Sequence, residues 1–325
     1  YAGELADALT AERAARGGLL TREDLEGFAP VVEEPLRGRY ADVEVLTARP
    51  NSSGVLLLQA LAAIEALGLE DPLGADAAQL ATILRSGSAQ REQRLADPRA
   101  VAFDPDEWLG AERIAALAEA AAAGRSVPAA GMAGARPDGD TVAIVAADGQ
   151  GGAVSIIQSV FHSFGAQILE PATGVLLHNR GASFAMAPDH PNRLAPGRRP
   201  SHTLMPVMVE RSGELRGVLG TMGGKVQPQI HTQVLHRLLE GATPQAAIDA
   251  PRWVVGALEA GEADGTVRVE DGVHRSARAA LDGFGLHVVD VERGSEDLGH
   301  YQAIWRDGGL AAGSDFRADG AAITG

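Results

Sequence analysis

The texture of this 325-residue chain changes once, and that change limits what it can fold into more than any other feature. Up to about residue 125, apolar side chains recur at helical spacing in a background rich in Ala, Leu, Glu and Arg. Beyond about residue 140 they alternate with their neighbours, the period of a half-buried strand. Between the two lies 124–140, GRSVPAAGMAGARPDGD, where Gly, Pro and small residues follow no period. Such a stretch is a linker, and linkers are where chains are cut. The pattern predicts a mixed α and β chain, helix-rich first and strand-rich second, without any 20–50-residue repeat.

In the first part the spacing predicts a helix from Ala2 to Arg16, stopped by Gly17-Gly18, and a short second helix capped by Thr21. A strand is expected at Val43–Thr47, then a Pro50–Gly54 turn into an apolar core helix. Further helices are expected near Ala75–Leu95 and Glu107–Ala123. In the second part, alternation predicts strands from Val142 and from Ala153 to Val160, with Asp148-Gly149 as the hairpin turn between them. Later strands are expected at Gly174–His178, Met205–Glu210, Leu215–Gly220, Val267–Glu270, Leu286–Val291 and Ala303–Arg306. Helices are expected at Gln229–Glu240, at Pro244–Asp249 behind a Thr243 cap, and at Ser276–Asp282.

Composition then narrows the function classes. With 28 Lys and Arg against 43 Asp and Glu, the formal charge is −15, which argues against a nucleic-acid groove; Lys225 is the only lysine. Zero cysteines exclude a disulfide scaffold, a thiolate nucleophile and Cys-ligated zinc, and leave the compartment open. No apolar run approaches the ~20 residues a membrane helix needs. The opening Tyr1-Ala2-Gly3 carries no signal pattern and points to a processed product or an excerpt of a longer protein.

Several familiar chemistries fail on spacing. Gly181-Ala182-Ser183-Phe184-Ala185 lacks the second glycine of a nucleophile elbow. Gly220–Val226 lacks the phosphate-loop spacing and the hydroxyl after lysine, and Gly149-Gln150-Gly151-Gly152 lacks that of a dinucleotide fingerprint. His231 and His236 are off-face on a helix and lack the metalloprotease glutamate. What remains is a threonine that starts a strand directly after the linker, in Asp140-Thr141-Val142-Ala143-Ile144-Val145.

Around that threonine the chain resembles the γ-glutamyltransferase family of N-terminal nucleophile (Ntn) hydrolases, which are made as inactive precursors. The motifs that carry the resemblance run the length of the chain. They are Gly18–Leu25, Pro50–Gly54, Leu95-Ala96-Asp97-Pro98, Asp140-Thr141, Ser163-Phe164-Gly165 and Gly174–Asn179. Pro196–Pro200, Met222-Gly223-Gly224, Ala250-Pro251-Arg252 and Ser314-Asp315-Phe316-Arg317 complete the series. The resemblance implies an α+β fold, the αββα four-layer sandwich of Ntn hydrolases. It also implies two parts: 1–140, the helix-rich end of a large subunit with its linker, and 141–325, a small catalytic subunit beginning at Thr141. Family precursors are longer, so an N-terminal portion carrying a carboxylate-gripping arginine is expected to be missing here.

Cutting the Asp140–Thr141 bond would give Thr141 a free α-amine, whose pKa of ~7.7–8.0 leaves a useful unprotonated fraction at neutral pH. That amine can take the proton of its own residue's hydroxyl, so nucleophile and base are one residue. The resemblance assigns the oxyanion donors to the amides of Gly223 and Gly224, and places Ser159 where relatives have a threonine hydroxyl beside the nucleophile.

Departures from the family pattern bear on substrate. The family's Asn-Gln-x-Asp-Asp-Phe run becomes Asn179-Arg180-Gly181-Ala182-Ser183-Phe184, so Ser183 replaces the aspartate that receives an α-ammonium and Arg180 replaces a glutamine. His202-Thr203 stands for the Ser-Ser pair that receives the α-carboxylate. A site altered in this way, with Lys225 beside the glycine pair, should hold an anion well and an ammonium poorly. The variant resembles the oxamate amidohydrolase-like branch. The expectation is therefore a self-cleaving amidohydrolase for a small carboxylate-bearing amide. The alternatives are a γ-glutamyltransferase or glutathione hydrolase, and an unprocessed remnant that only binds a ligand or partner. No metal or organic cofactor is implied; the partners expected are the small-molecule amide and the two precursor fragments, with no nucleic acid and no membrane segment.

Overall fold

The computed structural model describes residues 2–125, 141–257, 262–263 and 265–323. The linker after Arg125, with the Asp140 side of the expected junction, lies outside the described residues. The first part contains α1 (Glu4–Ala15), α2 (Arg22–Glu26), β1 (Leu36–Tyr40), β2 (Val43–Thr47), α3 (Gly54–Leu67), α4 (Ala77–Arg94), α5 (Pro105–Leu109) and α6 (Ala111–Ala122). After the linker come β3 (Thr141–Ala147), β4 (Ala153–Ser159), β5 (Leu169–Glu170), β6 (Val175–Leu176), β7 (Val207–Arg211) and β8 (Glu214–Thr221). The chain continues with α7 (Gln227–Leu239), α8 (Pro244–Asp249), β9 (Trp253–Val255), β10 (Thr266–Glu270), α9 (Arg275–Gly283), β11 (His287–Val291), β12 (Tyr301–Arg306) and β13 (Leu310–Ser314).

A six-stranded antiparallel sheet in the order β1-β2-β7-β8-β12-β13 is the centre of the molecule. Its strands come from both sides of the linker, since Val45 of β2 pairs with Val209 of β7. Helices α3, α7 and α8 cover one face, and α4 and α6 pack outside α3. The β3–β4 hairpin stacks on the other face against β8 and β12. Beside α4 and α9, β10 pairs in parallel with β11 through the α9 crossover and antiparallel with β9.

One apolar core runs through these layers, from Leu57, Leu61 and Leu80 to Met205, Ile230, Leu235, Trp253 and Tyr301. Helix α3 is buried nearly all round because it lies between the sheet and α4–α6, which explains its unbroken apolar face. It starts hard against β2: a side chain at Gly54 would meet Thr47 Oγ1 at 2.5 Å and the Ala48 carbonyl at 2.6 Å. Only glycine fits there.

The expected elements are present with ends shifted by a few residues. The helix expected over Glu107–Ala123 is two, α5 and α6, because Gly110 leaves the helical region at φ −63° and ψ 150°. Strands β1, β5, β9 and β13 escaped the alternation pattern. In β1 only the end residues Leu36 and Tyr40 are buried, with Arg37 facing Glu44 and Glu210. Strand β9 is buried on every residue, so it has no period, and two glutamines of α7 complete its edge. Gln229 exchanges two hydrogen bonds with Val255, at 2.8 and 2.9 Å, and Gln233 Nε2 donates to the Trp253 carbonyl at 2.6 Å. His231 is buried on the same helix and bonds the Tyr301 hydroxyl at 2.8 Å, while His236 bonds Tyr40 at 2.9 Å, so each has a structural partner. Among the described residues no helix is long and apolar enough to cross a membrane.

Asp97, after α4, ties two distant segments together. Its carboxylate accepts from the Arg99 guanidinium at 2.9 Å and from the backbone N–H of Arg199 at 2.8 Å. Burial opposes its ionisation, but the Arg99 side chain and the two backbone donors outweigh it and bring its pKa down to about 2. A depressed carboxylate contributes stability that is complete above its unfolded pKa and disappears as pH falls through the folded value. With Arg99 half in solvent, this contribution is about 1–2 kcal/mol. Thermal unfolding of the wild type and Asp97→Asn from roughly pH 6 down to pH 2 should show the gap between them closing as acid is added. A pH-independent gap would contradict this.

Candidate active site

Hairpin geometry sets the first part of the site. Asp148 Oδ1 accepts from the backbone of Gln150 and of Gly152, both at 2.8 Å, which closes the turn and fixes the register. That register pairs Thr141 with Ser159 at the open end of the hairpin. Both side chains point to the inner face with Ala143, Val145, Ser155 and Ile157, toward β8. Thr141 Oγ1 donates to Ser159 Oγ at 2.8 Å, and Ser159 Oγ also accepts from the Phe161 N–H at 2.9 Å.

The chain leaves β4 through an unusual turn. Phe161 adopts φ 82°, and the loop is tied to the next segment by Asn179, whose N–H donates to the Val160 carbonyl and whose Oδ1 accepts from the His162 N–H, both at 3.1 Å. Arg180 follows, opening a 3₁₀ turn over Arg180–Ser183. Its guanidinium carbon sits 3.6 Å from the centre of the Phe161 ring. Arg180 Nη1 donates to Ser183 Oγ at 3.2 Å and Nη2 to Thr203 Oγ1 at 3.4 Å. Among the described residues no carboxylate pairs with it. Burial lowers the Arg180 pKa to about 9, and Arg91 nearby adds to the effect; the group remains a cation at neutral pH.

Segment 200–204 is held by the Pro50–Gly54 turn. His202 N–H donates to the Asn51 carbonyl at 2.9 Å, Ser52 Oγ to that of Leu204 at 2.7 Å, and Ser53 Oγ to that of His202 at 3.1 Å. Asn192 bridges the two substrate-side loops through the Ser183 carbonyl and Ser201. Burial, reinforced by Arg180, Arg91 and Arg199, lowers the His202 pKa to about 4, so its imidazole is neutral at neutral pH. Arg91 of α4 is only 5% exposed; its Nε donates to Ser53 Oγ at 3.3 Å and its Nη1 to Glu92 at 2.7 Å. Lys225 meets the same carboxylate oxygen at 3.2 Å. Burial lowers the Lys225 pKa, with Glu92 partly offsetting it and Arg91 adding to it.

The glycine pair lies just beyond β8. Gly223 has φ 153°, where a Cβ would also meet Ile230 at 2.5 Å, and Gly224 has φ 52°; side chains at either position would be strained. Met222, just before them, exchanges backbone hydrogen bonds with His300, and His300 lines a cavity of about 370 Å³ together with Thr141. Among the described residues neither glycine amide bonds Thr141 directly.

Of the residues singled out from the sequence, Thr141 with Ser159 forms one cluster, and Arg180, Ser183 and Thr203 form a second, joined to the first through the Phe161 turn. His202 is held apart from the second cluster's hydrogen bonds, its carbonyl accepting from Ser53, which in turn accepts from Arg91, while the charges of Arg180 and Arg91 both act on its ring. Lys225 is engaged by Glu92 instead of standing free at the surface. A cavity of about 760 Å³ has Arg91, Glu92, Phe161, His162, Ser183 and Lys225 in its wall. Phe161, Arg91 and Glu92 were not anticipated: a Gln-Arg-Glu run reads as a solvated helix face, and no local signal marks Arg91 as buried. Among the described residues no group of three or more His, Asp or Glu is arranged to hold a metal.

Comparisons with known proteins follow the same lines. The family model described as Gamma-glutamyltranspeptidase matches residues 1–325. The chain is 32% identical to the oxamate amidohydrolase proenzyme of Klebsiella pneumoniae, over 99% of its own length and 61% of that protein. It is 34% identical to the glutathione hydrolase-like YwrD proenzyme of Bacillus subtilis, over 99% of its own length and 62% of the other. A crystal structure of cephalosporin acylase from Bacillus halodurans superposes with a TM-score of 0.85 and 31% identity, covering 100% of this chain and 59% of that one. The chain thus spans about three-fifths of the length of the relatives it matches. The fold is the α+β Ntn-hydrolase architecture expected from the motifs; the described residues show a helical layer and two stacked sheets, with Val142, Ile144, Val154 and Ile156 exposed on the outer face of the hairpin.

Proposed function

This chain belongs to the gamma-glutamyltranspeptidase family, and from that premise we propose that it is the catalytic part of a self-cleaving amidohydrolase acting on a small amide that carries a carboxylate. The observation that carries the substrate reading is Arg180. It is a partly buried guanidinium held by an aromatic face and two neutral hydroxyls, and among the described residues it has no carboxylate of its own. Two of its five N–H donors are used by Ser183 and Thr203, which leaves donors for an incoming carboxylate. The similarity to an oxamate amidohydrolase proenzyme supports the same class.

In this reading Thr141 Oγ attacks the Asp140 carbonyl, the peptide nitrogen leaves as the Thr141 α-amine, and water hydrolyses the resulting ester. The mature residue then attacks a substrate amide, passing its hydroxyl proton to its own amine and from there to the departing nitrogen. Water attacks the acyl ester with the same amine as base and releases the carboxylic acid. Ser159 holds the Thr141 hydroxyl in a fixed rotamer, a role supported by the 2.8 Å hydrogen bond. The amides of Gly223 and Gly224 serve the oxyanion, a role supported by their place in the turn directly after β8, in a backbone conformation that only glycine adopts freely.

The test is steady-state kinetics of the full-length protein on oxamate, a glutaryl monoamide and a γ-glutamyl anilide. Turnover of the carboxylate amides and little γ-glutamyl transfer are expected; efficient γ-glutamyl transfer to dipeptides would overturn the substrate claim. Arg180→Leu should raise KM for the anionic amide by about 10–100-fold with little change in kcat, the pattern of a lost charge-assisted contact.

A further inference from the structure

Phe161 is an aromatic residue in a backbone conformation that bulky side chains avoid. At φ 82° it is a true outlier, and such strain persists only where the surroundings fix it. Here they do: the Phe161 N–H is taken by Ser159 Oγ, and the flanking Val160 and His162 are both bonded to Asn179. The strain does not serve the apolar core, because the ring is partly exposed, lies outside that core, and lines the 760 Å³ cavity. What the conformation achieves is to place the ring face 3.6 Å under the Arg180 guanidinium.

Resting on the carboxylate-amide reading, the geometry points to Phe161 as a positioning residue that sets substrate specificity. Its ring holds Arg180 flat, so that the free edge of the guanidinium is presented to a substrate carboxylate, and its backbone couples that cation to the Ser159–Thr141 pair. Three features argue for this. A stacked guanidinium is fixed in orientation while its in-plane donors stay available. Ser183 and Thr203 anchor those donors without neutralising them. The N–H that stabilises the strained turn is given to the same Ser159 oxygen that receives the Thr141 hydroxyl, so the distance between nucleophile and cation is set by one short loop.

The experiment measures binding of oxalate, a dianion that cannot be turned over, to the full-length protein by calorimetry. It is accompanied by KM and kcat for oxamate. Phe161→Leu and Phe161→Gly should each weaken oxalate at least about tenfold and raise KM with kcat nearly unchanged, while Phe161→Tyr, which keeps the ring face, behaves as wild type. Glycine adopts a positive φ freely, so Phe161→Gly should unfold no earlier than wild type; it separates loss of the ring from loss of the fold. Oxalate binding by the Leu and Gly variants as tight as by wild type would overturn the inference. A wild-type protein that turns over amides yet ignores oxalate would overturn the carboxylate reading, and this inference with it.

Discussion

Replacement of Thr141 by alanine is expected to leave a single uncut chain and to lower amide turnover by a thousandfold or more. In the mechanism proposed above the residue has no substitute. The β3–β4 hairpin places its hydroxyl against Ser159, and the two share the inner face with small and apolar side chains that offer no base. Without the hydroxyl the linker cannot be cut by the attack proposed above, so the α-amine that serves as base never forms. Loss of a covalent nucleophile and its base together removes most of the chemical acceleration. Thr141→Ser keeps an attacking oxygen and should retain both cutting and slower turnover. Intact mass and ammonia release report the two steps separately. Normal maturation and activity in the alanine variant would defeat the proposed mechanism.

The second large effect concerns stability. Arg252, Glu270, Asp315 and Arg317 form a buried ionic network, each at most a few per cent exposed, joining α8, β10, β12 and the end of β13. Asp315 bonds Arg252, accepts from Arg317 at 3.0 Å and receives the Tyr301 N–H at 2.9 Å; Glu270 holds the other edge of Arg317 and accepts the Arg252 N–H at 3.0 Å. Burial opposes the charge on Asp315, but Arg252 and Arg317 outweigh it and hold its pKa below the usual carboxylate value. Asp315→Ala strands two guanidiniums beside a single carboxylate. It should cost about 3–5 kcal/mol, the penalty typical of an uncompensated buried charge. Denaturant unfolding of Asp315→Ala against wild type measures this, and a loss below about 1 kcal/mol would show that water or rearrangement satisfies the guanidiniums.

Particular residues show why some of this was legible in the sequence. The β3–β4 hairpin follows from local rules, an Asp-Gly signal with alternation on either side, but the register that pairs Thr141 with Ser159 is set by the longer Asp148–Gly152 loop, and Ser159 stood out only by its place in the motif series. Arg180, Ser183 and Thr203 stood out because they replace residues of a recognisable motif series. Phe161 did not, since a positive φ in a bulky residue has no composition signal. Arg91 sits in a polar run of α4, and its burial depends on the segments that cover it. Strand β13, Leu-Ala-Ala-Gly-Ser, lacks the β-branched residues that announce a strand and exists because β12 pairs with it.

Arg252, Asp315 and Arg317 could be picked out as motif members, but nothing near them named Glu270 as the fourth partner or showed that all four are dry. By itself the sequence determined the helix-rich and strand-rich parts, the hairpin, and the threonine that starts it, because each rests on patterns within a few residues along the chain. The tertiary structure alone decided where the charges meet. Arg91, Lys225 and Arg180 come from segments far apart in the chain, and their burial, with the Glu92 carboxylate that Arg91 and Lys225 share, arises only when the sheet draws both parts together.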